Sequence, residues 1–243
     1  MNQVLVFIQA RMGSTRLPGK VMLPLGDKPV LAHVIGRCRA AALGEVVVAT
    51  TAAPEDDVIV DAAGRWGAAS FRGSGPDVLG RFAAASRAFP AAHYVRVTAD
   101  CPFLDAAILA AVVREHVAGG FDFSYNDVPG DYPRGVDVEV MTAATLAWLD
   151  AHAGDEPSRE HVTPYIYREP AAFYTYRLPP PAPFPAGLRL VLDDRADYER
   201  LQRLAARLGD QTLFGLADVT ALAAAEPGFF AAAGDAGSPP AAP

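Results

Sequence analysis

Short β-branched runs alternate with longer helical stretches through the first half of this chain, and that alternation restricts the fold more than any other feature. Apolar runs at 4–10, 45–50, 68–72 and 94–98 are separated by helix-patterned stretches at 30–42, 56–66, 78–89 and 105–118. Runs such as Val4-Leu5-Val6-Phe7-Ile8 carry no polar alternation, so both of their faces are buried. Buried strands alternating with helices imply βαβ units, an α/β class and a parallel sheet covered on both sides. The second half is less regular, with expected strands at 121–125, 136–141, 173–177 and 188–192 and helices at 143–151, 195–208 and 216–225. The stretch "LPPPAPFPAG" cannot be regular structure, because proline removes donors and fixes φ. We expect one domain over 1–230 and a disordered tail over 231–243, where small, polar and proline residues dominate.

Charge narrows the partners. The net charge is −7, which argues against a nucleic-acid or anionic-membrane binder, since either needs a basic face. A local basic cluster in such an acidic chain therefore points to one specific anionic ligand. Cys38 and Cys101 show no paired spacing, so neither a disulfide framework nor structural zinc is expected. A strand at the very start leaves no room for a secretion signal, and no apolar stretch approaches the ~20 residues needed to span a bilayer. A cytoplasmic location is the expectation.

The basic cluster is "RMGSTRLPGK", residues 11–20, directly after the first strand. Its ending suggests a Walker-type phosphate loop, but five residues separate Gly13 from Gly19 where that motif has four. Val21 stands where the motif needs Ser or Thr for magnesium, and Pro18 removes an amide. What remains is Arg11, Arg16 and Lys20 with Gly13 and the Ser14 and Thr15 hydroxyls, at the carboxyl end of a parallel strand. Any one of these residues alone reads as an exposed turn. Together, where such sheets bind ligands, they read as a grip for a dense negative charge such as a triphosphate. Gly13 is expected to permit an unusual backbone angle or a close ligand approach.

Two acids also follow strands. Asp100 ends the 94–98 strand, and because Asp105 serves as the cap of the next helix, a Mg²⁺ ligand is the better reading of Asp100. Asp193 follows the apolar 188–192 run, and Asp194 or Asp197 would cap the helix after it. "FRGSGPDVLGRF" reads first as a glycine-rich turn with Asp77 as helix cap. Asp137 and Glu139 alternate with Val136, Val138 and Val140, so both acids face the same way along one strand. Arg134 and Arg159 have the chemistry to bind a carboxylate, phosphate or phosphonate.

The chain is similar to a known family. "QARMGSTRLPGKVM", "GSGPDVLGRF", "RVTADCPFLD", "YPRGVDVEV", "SREHVTPYIY" and "LRLVLDDRADYERL" resemble, in consistent order over residues 3–205, the spore-coat polysaccharide cytidylyltransferase-like family. More distantly the chain resembles the acylneuraminate and 3-deoxy-manno-octulosonate cytidylyltransferases. The resemblance implies a three-layer α/β/α sandwich with a mostly parallel mixed sheet, the nucleotide-diphospho-sugar transferase (GT-A-like) fold. It implies transfer of CMP from CTP to a sugar acid, a phosphonate or a sugar phosphate in cell-surface polysaccharide precursor synthesis, with Mg²⁺ as cofactor. Arg11, Arg16 and Lys20 would then act on the phosphates, with Ala10, Gly13, Ser14, Arg72, Ser74, Asp77 and Arg81 on the nucleotide. Asp100 is implied as one metal ligand and Asp193 as the other. The related stretch reads Asp-Thr-Pro-Glu-Asp, so Asp194-Arg195 here leaves the register open between Asp193 and Asp194. Asn126, Arg134, Asp137, Glu139, Arg159 and His161 would face the acceptor. A homodimer is also implied. The rival readings are a glycosyltransferase of related fold, disfavoured because Asp100-Cys101-Pro102 lacks the second acid of an Asp-x-Asp pair, and a non-enzymatic nucleotide-binding module.

Overall fold

The computed structural model describes residues 2–126, 131–185, 187–208, 213–226 and 228–230; the expected tail at 231–243 lies outside them. In chain order the elements are β1 (Asn2–Gln9), β2 (Pro24–Leu25), β3 (Lys28–Pro29), α1 (Val30–Ala40), β4 (Glu45–Thr51), α2 (Asp57–Arg65), β5 (Ala69–Gly73), α3 (Val78–Ala88) and β6 (Ala91–Thr98). There follow α4 (Ala106–Gly119), β7 (Phe123–Tyr125), β8 (Glu139–Thr142), α5 (Ala143–His152), α6 (Glu156–His161), α7 (Pro164–Arg168), β9 (Thr175–Arg177), α8 (Arg195–Leu208) and α9 (Leu216–Ala225). Seven strands form one sheet in the order β5-β4-β1-β6-β8-β7-β9, with β2 and β3 as a separate hairpin. The β5-β4-β1-β6 half is parallel, β8 runs antiparallel to both β6 and β7, and β9 is parallel to β7.

Strand β1 shows why its sequence has no polar alternation. Val4, Val6 and Ile8 pack with Leu31, Val34 and Ile35 of α1, Ile59 of α2 and Leu109 and Val112 of α4. Leu5 and Phe7 point the other way, toward Val78, Leu79 and Phe82 of α3 and Leu146 and Leu149 of α5. Phe7 stacks on Tyr94 at 5.2 Å and meets Phe82 edge-on at 5.3 Å. Every residue from Leu5 to Ile8 is at most 1% exposed, so both sheet faces are covered and the three-layer α/β/α expectation holds. A third cluster packs α8 and α9 through Leu201, Leu204 and Val219 onto Leu188, Leu190 and Leu192. No helix among the described residues is long and apolar enough to cross a membrane.

Two expected strands come out differently. The 188–192 run is extended and buries alternate leucines, but it has only an isolated bridge between Arg134 and Arg189. Its backbone bonds are split between two neighbours: Leu190 N donates to the Arg134 carbonyl (2.7 Å) and Leu192 N to the Asp100 carbonyl (2.8 Å). The run at 136–141 pairs as a strand only from Glu139, because the Asn126 side chain substitutes for strand backbone before that point. Its amide donates to the Val136 carbonyl (3.0 Å) and accepts from Val138 N (2.7 Å). Gly135, at φ 102, lies so close to residues 190 and 191 that a Cβ would sit 2.4 Å from the Leu190 carbonyl carbon and the Val191 nitrogen.

The fold also buries an imidazole pair away from the sheet's ligand-binding edge. His93 of β6 meets His116 of α4 at 3.1 Å, and His116 reaches the Ser124 hydroxyl at 2.9 Å. Burial, and then the neighbouring His93, bring the His116 pKa from 6.5 down to about 4. The folded state therefore resists a proton that the unfolded chain accepts. This contribution is complete above pH 6.5 and is lost as pH falls toward 4, by about 3 kcal/mol at most. Urea unfolding at pH 7 and pH 4.5 should show a steeper loss of stability in the natural protein than in His116→Gln; parallel losses would exclude the imidazole as the cause.

Candidate active site

The loop between β1 and β2 is held at its start by a buried acid. Asp56, 1% exposed and just ahead of α2, accepts from Met12 N (2.7 Å), Thr50 Oγ1 (3.1 Å) and Thr51 N (3.1 Å), and also from Thr51 Oγ1. The loop then folds on itself, with Ser14 N and Gly19 N both donating to the Met12 carbonyl (2.8 and 2.9 Å). The left-handed turn is at Gly19 (φ 70), not at Gly13, which instead has open space on its Cβ side. Pro18-Gly19 leads into a single 3₁₀ turn over Lys20–Met22, and this turn carries Lys20 inward.

The inward position of Lys20 joins the loop to both strand-end acids. Its Nζ lies 2.6 Å from Asp100 Oδ2, 3.3 Å from Asp193 Oδ1 and 2.7 Å from the Leu192 carbonyl oxygen. The Asp100 carbonyl accepting from Leu192 N draws the two acid-bearing segments together, although 93 residues of sequence separate them. Arg16 adds a contact to Asp193 Oδ1 at 2.8 Å, and Arg189 holds Asp193 Oδ2 at 2.7 Å. Burial works to raise the Asp193 carboxyl, but Lys20, Arg16 and Arg189 outweigh it and hold it below the ordinary carboxylate range. Behind it, buried Asp197 accepts from Asp193 N (2.9 Å), Arg189 (2.9 and 3.2 Å) and Arg200 (2.7 Å). Those donors overcome burial and bring Asp197 down to about 2. Asp194 turns away and caps α8 by accepting from Asp197 N at 2.9 Å, so Asp193 is the acid of this pair that faces the cleft. Asp105 takes the capping role expected of it, accepting from Ala107 N (2.7 Å) and Ile108 N (3.1 Å).

The cleft has two lobes of about 300 and 390 Å³. Ala10, Arg11, Ser14 and Lys20 line the first, and Arg96, Arg134, Asp137 and Glu139 the second. Gln9, Arg16, Thr98, Asp100, His161 and Asp193 line both, and so mark the junction. Arg11 approaches Glu160 at 4.0 Å on the rim.

Several residues with an expected ligand role are engaged by the protein itself. Asn126 is fully buried and spends its amide on the β7–β8 backbone. Glu139 lines the second lobe, but its carboxylate is taken by Arg96 (2.5 Å), Thr163 Oγ1 (2.7 Å) and the Tyr167 hydroxyl (3.0 Å). The expected glycine-rich nucleotide loop is tied to its protein neighbours and lines neither lobe. Arg72 pairs with Asp57 and donates to the Thr51 and Ala53 carbonyls, and Ser74 Oγ accepts from Asp77 N. Arg81, 1% exposed, bonds the Ser74 carbonyl from below, while its Nε and Nη2 have no protein partner. Burial, then the nearby Arg11, lowers its guanidinium to about 10. Asp77 caps α3 through Gly80 N (2.8 Å) and pairs with Arg159 at 2.7 and 2.5 Å. Arg159 also holds Asp150 at 3.1 Å, so it joins α3, α5 and α6 and does not enter the cleft. Arg159→Ala should therefore lower the melting temperature by several degrees while leaving substrate KM within threefold. A large KM increase without loss of stability would return Arg159 to the substrate side.

The sequence alone did not single out Gln9, Arg96, Asp56, Arg189 or Asp197 for these places. Arg96 is held by Gln9 Oε1 (2.9 and 3.2 Å) as well as Glu139, and this pairs side chains from three neighbouring strands. The available signal was an arginine inside an otherwise apolar strand, a residue that stays buried only with partners.

Comparison with known proteins places the chain in a family. A sequence family described as cytidylyltransferase matches residues 5–216. The spore coat polysaccharide biosynthesis protein SpsF of Bacillus subtilis (strain 168) is 35% identical, over 87% of this chain and 90% of its own. A 3-deoxy-manno-octulosonate cytidylyltransferase of Rhodopseudomonas palustris (strain BisB18) is 30% identical, over 84% of this chain and 86% of its own. The solved structure of a cytidylyltransferase from Leptospira borgpetersenii superposes with a TM-score of 0.89 at 32% identity, covering 95% of this chain and 97% of that one, so the nucleotide-sugar transferase fold holds. With its family profile and its relatives in agreement, this chain belongs to the cytidylyltransferase family.

Proposed function

We propose that this protein transfers CMP from CTP to a small anionic acceptor, a sugar acid before a phosphonate or sugar phosphate, and releases pyrophosphate. The observation that carries the reading is Lys20, in the first lobe, set between Asp100 and Asp193, which line both lobes. The first lobe, with Arg11, Ser14 and Lys20, suits the triphosphate; the second, with Arg134 and Asp137, suits the acceptor. Across the junction an acceptor oxygen attacks the α-phosphorus in line, the bond from that phosphorus to the bridging oxygen breaks, pyrophosphate carries away the electron pair, and the proton of an acceptor hydroxyl passes to solvent. Lys20, Arg11 and Arg16 neutralise charge that grows on that leaving group. Holding the reactants in line supplies the remainder, since phosphoryl chemistry asks little covalent work of a protein. We place this in the cytoplasm, in the synthesis of polysaccharide precursors.

The donor set fits Mg²⁺. Asp100 and Asp193 present two hard carboxylate oxygens around one cationic nitrogen, and no cluster of three or more metal-ligating side chains occurs among the described residues. Mg²⁺ commonly takes one or two carboxylates and completes its shell with phosphate and water. When bound, it would neutralise phosphate charge and favour ionisation of the acceptor hydroxyl. A glycosyltransferase reading has no support here, because buried Cys101 and Pro102 follow Asp100 where a second acid would be needed.

The test incubates the protein with each nucleoside triphosphate, Mg²⁺ and a panel of sugar acids, sugar phosphates and phosphonates. Pyrophosphate should appear only with CTP plus an acceptor, and Asp100→Asn should reduce it by at least about 100-fold. Release of a nucleoside diphosphate from a nucleotide sugar, or equal turnover of ATP and CTP, would overturn the proposal.

A further inference from the structure

We infer that the Lys20 ammonium is an internal cation that keeps a divalent metal off Asp100 and Asp193 in the free protein and yields the site when a polyphosphate arrives. This rests on the metal reading of those two acids given above.

The geometry is that of an occupied cation site. An ammonium has three N–H donors, and Lys20 Nζ has three oxygens around it: Asp100 Oδ2 at 2.6 Å, the Leu192 carbonyl at 2.7 Å and Asp193 Oδ1 at 3.3 Å. The side chain is only 12% exposed. With its donors spent on these oxygens, Lys20 has none left for a phosphate, so its contact with a triphosphate and its contact with the acids exclude one another. A divalent cation among the same oxygens would meet a like charge at contact distance. Asp193 is further neutralised by Arg16 on Oδ1 and Arg189 on Oδ2.

The three cations are not held alike. Arg189 is clamped by Asp197 at 2.9 and 3.2 Å, while Arg16 is 63% exposed and Lys20 has a flexible four-carbon stem. A polyphosphate in the first lobe offers Lys20 and Arg16 a denser charge than one carboxylate does. As they move to it, Asp100 Oδ2 and Asp193 Oδ1 lose their counter-ions together, while Arg189 still orients Asp193 through Oδ2. Nucleotide and metal thus bind with positive coupling: free metal binds weakly to the protein without nucleotide, and by reciprocity bound metal raises nucleotide affinity by the same factor.

Mn²⁺ serves as the probe, its free concentration read by electron paramagnetic resonance in the absence of nucleotide. Lys20→Met should bind Mn²⁺ at least about tenfold tighter than the natural protein, within the usual range of such couplings. The gain should vanish in Lys20→Met/Asp100→Asn. Lys20→Gln, neutral but able to hydrogen-bond, should show a smaller gain and replaces Lys20→Met if the latter melts at low temperature. Equal Mn²⁺ affinity in the natural protein and both Lys20 variants would overturn the inference. The metal reading survives that result if Asp100→Asn still weakens Mg²⁺-dependent CTP binding by calorimetry. If Asp100→Asn changes neither Mn²⁺ nor Mg²⁺-dependent CTP binding, the metal reading itself fails, and the inference with it.

Discussion

Lys20→Ala should lower kcat/KM for CTP by about 10²- to 10³-fold, the range seen when a single preorganised charge donor is removed from a reacting centre. Most of the loss should fall on kcat, because the charge that Lys20 offsets is larger on departing pyrophosphate than on bound CTP. An exposed loop lysine would be silent in stability, but Lys20 is 12% exposed and separates two carboxylates, so this variant also carries a structural cost. That cost is limited to about 1–2 kcal/mol, since Asp193 keeps Arg16 and Arg189 and Asp100 opens onto the cleft. Arg16→Ala, which removes a largely exposed partner, should lose no more than about tenfold. Tighter Mn²⁺ binding alongside poor turnover would show that the metal oxygens are intact and that the missing element is the cation on the phosphates. Near-normal kcat in Lys20→Ala would remove the loop from the reaction.

What the sequence made legible follows from what is local. Strand β1 buries both faces, so its apolar run announced a doubly covered sheet; the acids of interest come directly after such runs, at the edge where parallel sheets bind ligands. That Asp100 stands ready for a metal followed from its place after a strand, and Asp193 from the family resemblance; that Lys20 lies between them was not legible. Partner choice between distant segments was not legible. Arg159 and Asp77 are 82 residues apart, and nothing in either motif says that they neutralise each other and leave the acceptor alone. Glu139 shares the face of Asp137 as the alternation required, yet Arg96 lies next to it on β6, and pairing across that register turns an apparent ligand into a fixed support. Asn126 looked polar and available because a side chain acting as a length of strand backbone leaves no periodic signal. The apolar 188–192 run predicts a strand, but an apolar run reports burial and not whether one neighbour can supply a whole ladder.

Asp56→Ala should produce the other large effect, and on two measurements at once. Asp56, at the start of α2, ties the beginning of the 11–20 loop through Met12 N to the end of β4 through Thr50 and Thr51. Its removal strands the buried Thr51 amide and the half-buried Met12 amide, while the threonine hydroxyls can rotate toward other acceptors. At about 1–2 kcal/mol for each amide, urea unfolding should show a loss of roughly 2–4 kcal/mol. The loop should also lose its registration, because its internal bonds run back to the Met12 carbonyl, and Met12 is the residue that Asp56 holds. A displacement of about 1 Å at Arg11, Arg16 and Lys20 is worth about 100-fold in rate where in-line positioning carries the catalysis. Asp56→Asn keeps one acceptor oxygen of similar shape and should fall between the two in both measurements. A variant that loses the stability but keeps kcat/KM within threefold would show that the loop takes its position from Lys20 and the acids alone. Parallel loss of stability and rate, graded from Asn to Ala, would instead make the buried carboxylate under α2 the reason that a loop with so little regular structure holds three cations in place.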